Sequence, residues 1–210
     1  MLPVKAMLLD VDGVLAIARP FSHTMEKQYG ITREMTSPFF QGIFLECITG
    51  RADLKQEIAS YLQEWGWPGT VDKFIEAWFE TEHQVNEPLL AVVQQLRNQG
   101  IPCYLATNQE RYRTEYILKR MEFSTRFDGI FSSAYVGYAK PDREFFEAVL
   151  SGLKGIAPEE ILFWDDNAGH IAAAREVGLQ AEVYQSVEEF VTVLRRYFPL
   201  NMPIEHELDS

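Results

Sequence analysis

Residues 4–15 read Val-Lys-Ala-Met-Leu-Leu-Asp-Val-Asp-Gly-Val-Leu. An apolar run stops abruptly at two carboxylates, Asp10 and Asp12, which stand one residue apart and are followed by Gly13. The uncharged stretch 6–9 suits a strand covered on both faces of a parallel sheet. In open sheets of that kind, ligands gather at the carboxyl ends of the strands. If the backbone stays extended as far as the turn at Gly13, both carboxylates share a face and reach one ligand. Two like charges that close need a cation or a shared proton. Asp-Gly is also an ordinary turn dipeptide, so the reading depends on what stands at the ends of the other strands.

Further along, apolar runs alternate with helical patterns. Residues 101–106 stop at Thr107-Asn108, a short strand near 130–132 precedes Lys140-Pro141-Asp142, residues 161–164 are halted by Asp165-Asp166, and 181–184 form a last strand. Helices are expected over 86–100 (Asn86 cap, Pro88, then Leu89, Leu90, Val93 and Leu96), 109–121, from the Lys140 loop to about 153, 171–177 and 186–198. Such alternation implies right-handed crossovers and an α/β fold with a doubly wound, Rossmann-like parallel sheet. Residues 16–85 differ, because the pattern there is helical throughout. Ser22 is read as capping a helix over 25–29, Ser37-Pro38 as opening a second, and 53–65 as a third. Thr70 caps a fourth, with Val71, Phe74, Ile75, Trp78 and Phe79 on one stripe. Residues 16–85 are therefore expected to form a small all-helical cap, with 1–15 and 86–210 making the core. The tail 201–210 is polar and acidic and is expected to fray.

The chain has 210 residues, 47% hydrophobic and 24% charged, with 31 acidic against 19 basic side chains and a formal charge of -12. That balance disfavours non-specific binding to nucleic acid or to an anionic membrane, and an anionic substrate would need a local cation. No apolar run reaches the roughly 20 residues that cross a bilayer, and the first apolar run breaks off too early for a signal peptide, so a cytoplasmic location is expected. Cys47 and Cys103 lie inside apolar segments and read as buried free thiols.

The polar residues at the strand ends are Asp10 and Asp12, Thr107 and Asn108, Lys140, then Asp165 and Asp166. Carboxylates, a hydroxyl and one ammonium on one sheet edge are what a magnesium-assisted phosphoryl transfer through an aspartyl intermediate requires. Mg²⁺ prefers hard oxygen ligands, a carboxylate can act as nucleophile, and the hydroxyl with backbone amides can hold phosphate oxygens.

With these residues in order, the chain resembles the haloacid dehalogenase superfamily, in particular its phosphatase-type members with a small helical cap between the first and second motifs. Asp10-Val11-Asp12-Gly13-Val14-Leu15 matches the first motif, Thr107-Asn108 the second and Lys140-Pro141 the third. Phe163-Trp164-Asp165-Asp166, followed by Ala172-Ala173 and Gly178, matches the fourth. The resemblance implies a Mg²⁺-dependent phosphatase acting on a small phosphorylated metabolite, such as a sugar phosphate or nucleotide. It makes Asp10 the nucleophile and a metal ligand. Asp12 becomes the general acid and then base, its backbone carbonyl adding a metal bond. Thr107 and Asn108 are placed on the phosphate, Lys140 between nucleophile and phosphate, and Asp166 on Mg²⁺ with Asp165 as direct or water-mediated support. Members that remove halide lack a carboxylate at the position of Asp12, because their leaving group needs no proton.

One departure stands out: the last polar position of the fourth motif falls on His170. There a hydrogen bond to a metal-bound water or a neighbouring loop is expected rather than a metal bond. Residues 48–53 (Ile-Thr-Gly-Arg-Ala-Asp) resemble a cap turn that faces the active site. Arg51 is accordingly a candidate for a substrate hydroxyl or second phosphate, with an ordinary solvated arginine as the competing reading. His23 and Arg19 follow the first motif closely enough to face the cleft, although a surface role is expected for each. The alternatives to a phosphatase are a phosphomutase of the beta-phosphoglucomutase type, a haloacid dehalogenase, and a non-catalytic binding protein that retains the fold. A monomer or homodimer is expected.

Overall fold

The structure is a computed structural model that describes residues 3–198; the tail 201–210 lies outside them. Five parallel strands form one sheet, β1 (Ala6–Leu9), β2 (Cys103–Thr107), β3 (Gly129–Ser132), β4 (Ile161–Asp165) and β5 (Gln180–Val183), in the order β3-β2-β1-β4-β5. The chain moves outward from β1 to β2 and β3, then returns to the other side of β1 for β4 and β5. The order therefore reverses between β1 and β4, the switch point at which such sheets bind ligands.

The alternation of side chains across each strand builds two cores. Met7 and Leu9 face one side with Leu105, Leu162 and Trp164, under α6 (Glu87–Asn98) and α12 (Val187–Tyr197). Ala6 and Leu8 face the other with Ala106 and Phe163, under α10 (Arg143–Gly152) and α11 (Ala168–Glu176). All four residues of β1 are fully buried, which accounts for the uncharged run at 6–9. Cys47 and Cys103 are buried free thiols, both pushed up to about 12, chiefly by burial. Among the described residues no helix is long and apolar enough to cross a membrane.

Between β1 and α6 the chain forms α1 (Phe21–Tyr29), α2 (Arg33–Phe40), α3 (Phe44–Ile48), α4 (Leu54–Glu64) and α5 (Val71–Thr81). These helices share a separate aromatic core in which Phe39, Trp65 and Phe74 are buried. Two connections join this insert to the rest and run side by side: Ala16 bridges Val85, Ile17 N donates to Gln84 O (2.9 Å), and Asn86 N donates to Leu15 O (2.9 Å). Asn86 caps α6 and also donates to Val14 O and Tyr184 Oη, fixing the base of both.

Local signals in the insert were partly misread. Ser22 does not cap α1, which begins at Phe21 after Pro20. Thr32, whose hydroxyl accepts from Met35 N, starts α2 ahead of the Ser-Pro signal, so Pro38 falls inside the helix and forgoes one N–H bond. The cap at Thr70 is as expected, and the helix expected over 53–65 is α4, capped by Asp53. The helix expected over 109–121 is α7 (Arg111–Lys119), capped by the Glu110 carboxylate. Three short helices, α3, α8 (Phe123–Arg126) and α9 (Ser133–Val136), are too brief to show a period in sequence.

Candidate active site

Register places the first two acids. Leu9 pairs with Trp164 across β1 and β4, and Asp10 N donates to Trp164 O (2.9 Å), so Asp10 and Asp165 stand side by side at the switch point. Lys140 enters from the loop after α9. Its Nζ lies 3.0 Å from Asp10 Oδ1 and 2.6 Å from Asp165 Oδ2, with none of its side chain exposed. Ions so deeply buried cost several kcal/mol each unless paired, which explains why the loop is held tightly. Asn108 brackets the main chain of Lys140, donating to its carbonyl and accepting from its N–H, both at 2.8 Å. Asn108 is expected on the phosphate; here its side-chain amide is a clamp on Lys140.

One ammonium serves two carboxylates, and the two respond differently. Burial pushes Asp10 up to about 7 against the pull of Lys140, with the negative charge of Asp165 adding to the rise. Burial would also raise Asp165, but the His170 hydrogen bond and Lys140 outweigh it and hold that carboxyl below the usual range. His170 Nδ1 lies 3.0 and 3.1 Å from the Asp165 oxygens, and Asn167 N donates to Oδ1 (2.8 Å). The departure at position 170 thus resolves into a partner for the buried carboxylate. Asp166 is exposed, and its carboxylate lies against Gly13: a Cβ there would come 2.2 Å from Asp166 Oδ2, and Gly13 has φ +79°. Glycine is required on both counts. Partial burial and then the charge of Asp165 push Asp166 upward.

The donor set can be tested against a divalent cation. Ligand-type atoms of Asp10, Asp165 and His170 lie within 4.8 Å of one another. The carboxylates suit a hard ion such as Mg²⁺, whereas an imidazole nitrogen suits a softer one. Asp165 already accepts from Lys140, His170 and Asn167, so Asp10 and the exposed Asp166 keep the most free oxygen valence. These residues fit Mg²⁺, with Asp165 supporting.

Asp12 departs from the expected geometry. The chain does not stay extended to Gly13, because Val11 O accepts from the N–H groups of Val14, Leu15 and Ala16 and turns it at once. Asp10 therefore points into the lysine pocket while the exposed carboxylate of Asp12 turns toward the start of α7. There Asp12 Oδ2 accepts from Gln109 Nε2 (2.6 Å), and Arg113 Nη2 stands 3.9 Å from Oδ1. Gln109 also reaches the buried Thr107 hydroxyl (3.3 Å), so one amide spans two of the motif residues.

Arg113 is buried and holds the insert. It donates to Phe79 O (3.1 Å) and Glu82 O (3.2 Å), carbonyls at the end of α5 that the helix leaves unpaired. Glu110, pushed up to about 7 by burial, accepts from the N–H groups of Tyr112 and Arg113. On the other side, Ser133 Oγ donates to Ile48 O (2.7 Å), and Arg111 to Gly50 O (3.0 Å). The 48–53 turn is thus docked on the core, yet Arg51 pairs with Glu46 (2.6 Å) with 59% of its side chain exposed. Ile48 of the turn, with Phe44 from the start of α3, instead borders a cavity of about 110 Å³ that also touches Asp12, Trp78 and Arg113. The solvated reading of Arg51 is the one the geometry favours. Arg19 and His23 border a surface hollow, as expected for exposed groups.

Gln109, Arg113 and Glu82 were missed from sequence. Gln109 stands just ahead of the Glu110 cap and Arg113 in the first turn of α7, a polar stretch that reads as ordinary solvated surface. Only their spacing after Thr107-Asn108 offered a clue.

A family model described as haloacid dehalogenase-like hydrolase matches residues 4–178. Among curated proteins, a drimenol cyclase of Aspergillus calidoustus is 30% identical over 120 residues, 57% of this chain and 22% of that protein. A sesquiterpene phosphatase of Aspergillus oryzae is 37% identical over 92 residues, 43% of this chain and 46% of that protein. The match thus spans less than half the length of either relative. Among solved structures, a predicted HAD-like family hydrolase from Porphyromonas gingivalis aligns with TM-score 0.78 at 21% identity, covering 94% of this chain and 99% of that one. A HAD family enzyme from Bacteroides thetaiotaomicron in complex with magnesium and inorganic phosphate aligns with TM-score 0.77 at 22% identity, covering 91% and 100%. At such identities the likeness speaks for the fold.

Proposed function

The chain belongs to the haloacid dehalogenase-like hydrolases, and from that premise we propose that it is a Mg²⁺-dependent phosphatase that hydrolyses a phosphate monoester through a phosphoryl group carried on Asp10. The observation that carries this reading is the division of labour between two carboxylates. Asp10 is buried against Lys140, while Asp12 sits outside on Gln109 at the seam between sheet and insert. An Asp10 oxygen attacks phosphorus and the ester P–O bond breaks. Asp12 gives its proton to the departing alkoxide. It then takes a proton from the water that attacks the same phosphorus, releasing inorganic phosphate and restoring Asp10.

Lys140 neutralises charge between Asp10 and the phosphate, and the Thr107 hydroxyl donates to a phosphate oxygen. Asp10, Asp166 and the Asp12 carbonyl, with Asp165 in support, would hold Mg²⁺, which would supply the positive charge that lets a carboxylate approach a phosphate. Residues 16–85 act as a cap whose closure excludes water and contacts the leaving group. A relative named as a phosphatase and a neighbour that binds magnesium with inorganic phosphate support the reading.

The test is a panel of phosphate monoesters with and without Mg²⁺, run beside Asp10→Asn. Mg²⁺-dependent phosphate release without a bisphosphate activator, lost in Asp10→Asn, is expected. Release that needs the activator would point to a phosphomutase, and release that survives the substitution would reject Asp10 as nucleophile.

A further inference from the structure

Three spaces meet at one residue, Glu82. The cavity of about 110 Å³ at Asp12 has Trp78 and Glu82 in its wall. A second space, at Asp12 and Gly13, is bordered by Pro20 and Glu82. A third, of about 570 Å³, lies between α1, α2 and α5 and shares Pro20, Trp78 and Glu82 with the other two. The space at the proposed acid therefore adjoins the one inside the insert, with Glu82 and Trp78 at the boundary, and the larger of them has the volume of a small-molecule site.

The wall of that interior is mostly carbon, with Phe21, Met25, Phe40 and Trp78 facing it. Ser22, Ser37 and Gln41 also line it, but its buried threonine and the carboxylate at the junction are already committed within the protein. The Thr36 hydroxyl donates to Arg33 O (3.2 Å). The two Glu82 oxygens accept from Phe21 N and Trp78 Nε1, each at 2.9 Å. The ionisable side chains His23, Glu26 and Arg33 stand at the exposed outer rim. A sugar or nucleoside would need many donors and acceptors converging on its hydroxyls, whereas most of the surface this wall exposes is apolar. A second phosphate would meet the Glu82 carboxylate at the junction.

Resting on the phosphatase reading above, we propose that this chamber in the insert takes the leaving group, and that the substrate is the monophosphate of an elongated, apolar, otherwise uncharged alcohol. The phosphate lies at Asp10 and Lys140, the ester oxygen at Asp12, and the hydrocarbon passes Trp78 and Glu82 into the chamber.

The experiment is a series of n-alkyl monophosphates from ethyl to decyl, kept below micelle-forming concentrations, with p-nitrophenyl phosphate and glucose 6-phosphate alongside. Burying one methylene is worth about a fourfold gain at most, so kcat/KM is expected to climb about two- to fourfold per methylene, at least about 60-fold from ethyl to octyl, before it levels off. Filling the chamber with Ser37→Trp should lower the octyl-to-ethyl ratio by about tenfold or more and bring the plateau to a shorter chain. A loss that is merely structural would lower both members together. As a measure independent of turnover, 1-octanol binding followed by titration calorimetry should be seen in wild type and be weaker in Ser37→Trp. If p-nitrophenyl phosphate is hydrolysed but the alkyl series is flat, or glucose 6-phosphate surpasses octyl phosphate, the inference falls and the phosphatase reading stands. If no ester is hydrolysed, both fall.

Discussion

Lys140→Met puts the buried charge cluster to a quantitative test. The substitution keeps the length of the side chain and removes the ammonium that lies 3.0 Å from Asp10 and 2.6 Å from Asp165. Breaking a buried pair by deleting one partner costs about 3–5 kcal/mol, because the other charge is left uncompensated. In a chain of this size each kcal/mol moves Tm by about 2–4 °C, so the metal-free variant should melt about 6–20 °C below wild type at alkaline pH. The pH dependence has a definite sign. In wild type the depressed Asp165 contributes stability that is present above its unfolded pKa and lost as pH falls through the lower folded one. Lys140→Met removes the share of that contribution that the ammonium supplies, leaving the His170 hydrogen bond, so the gap between the melts should be widest at neutral and alkaline pH and close on acidification. Mg²⁺ should also narrow the gap, since a bound cation substitutes for the ammonium. Calorimetric melts over a pH series, with chelator and with Mg²⁺, provide the assay. Coincident melts at alkaline pH, or a gap that widens on acidification, would refute the reasoning.

Asp12→Asn should slow hydrolysis of alkyl phosphates by about 10²–10⁴-fold and that of p-nitrophenyl phosphate far less, because nitrophenolate leaves without a proton; an equal loss on both would remove Asp12 from the acid role. Arg113→Met deletes two charge-assisted hydrogen bonds to the end of α5, together about 3 kcal/mol or more. It should therefore speed amide exchange in α5 and in the connections 16–20 and 82–86 before the sheet is affected, and an unchanged exchange map would contradict that. Asp10, raised to about 7, must lose its proton to accept a cation. Mg²⁺ affinity should accordingly weaken about tenfold per pH unit below 7 and level off above it, with proton release on binding seen in calorimetry in buffers of different ionisation enthalpy. Affinity that does not vary with pH would count against it.

How legible all this was in the sequence depended on whether position alone decided a residue's role. β1 could be read because a buried strand tolerates no charge, so the first acid after Leu9 marks its end. The same logic found Thr107 and Asp165, and strand register then brought Asp10 and Asp165 together without further information. Asp12 could be named but not aimed, since its direction depends on Val11 O collecting three N–H groups, a turn geometry with no residue signature. Asn108 was credited to the ligand because nothing local reveals that Lys140, 32 residues on, takes both ends of its amide. His170 was visible as an exception, but its partner was not. Arg113 and Glu82 belong to a junction between segments far apart in the chain, where only tertiary contact gives an ordinary helix residue its role.

The account rests on Asp10 carrying the phosphoryl group. The direct measurement is acid quenching of the Mg²⁺-loaded protein during turnover of p-nitrophenyl phosphate, followed by peptide mapping. One phosphoryl group on the peptide that contains Asp10, absent from Asp10→Asn together with turnover, is the predicted result. Steady hydrolysis with that peptide unmodified, or undiminished hydrolysis by Asp10→Asn, would contradict it.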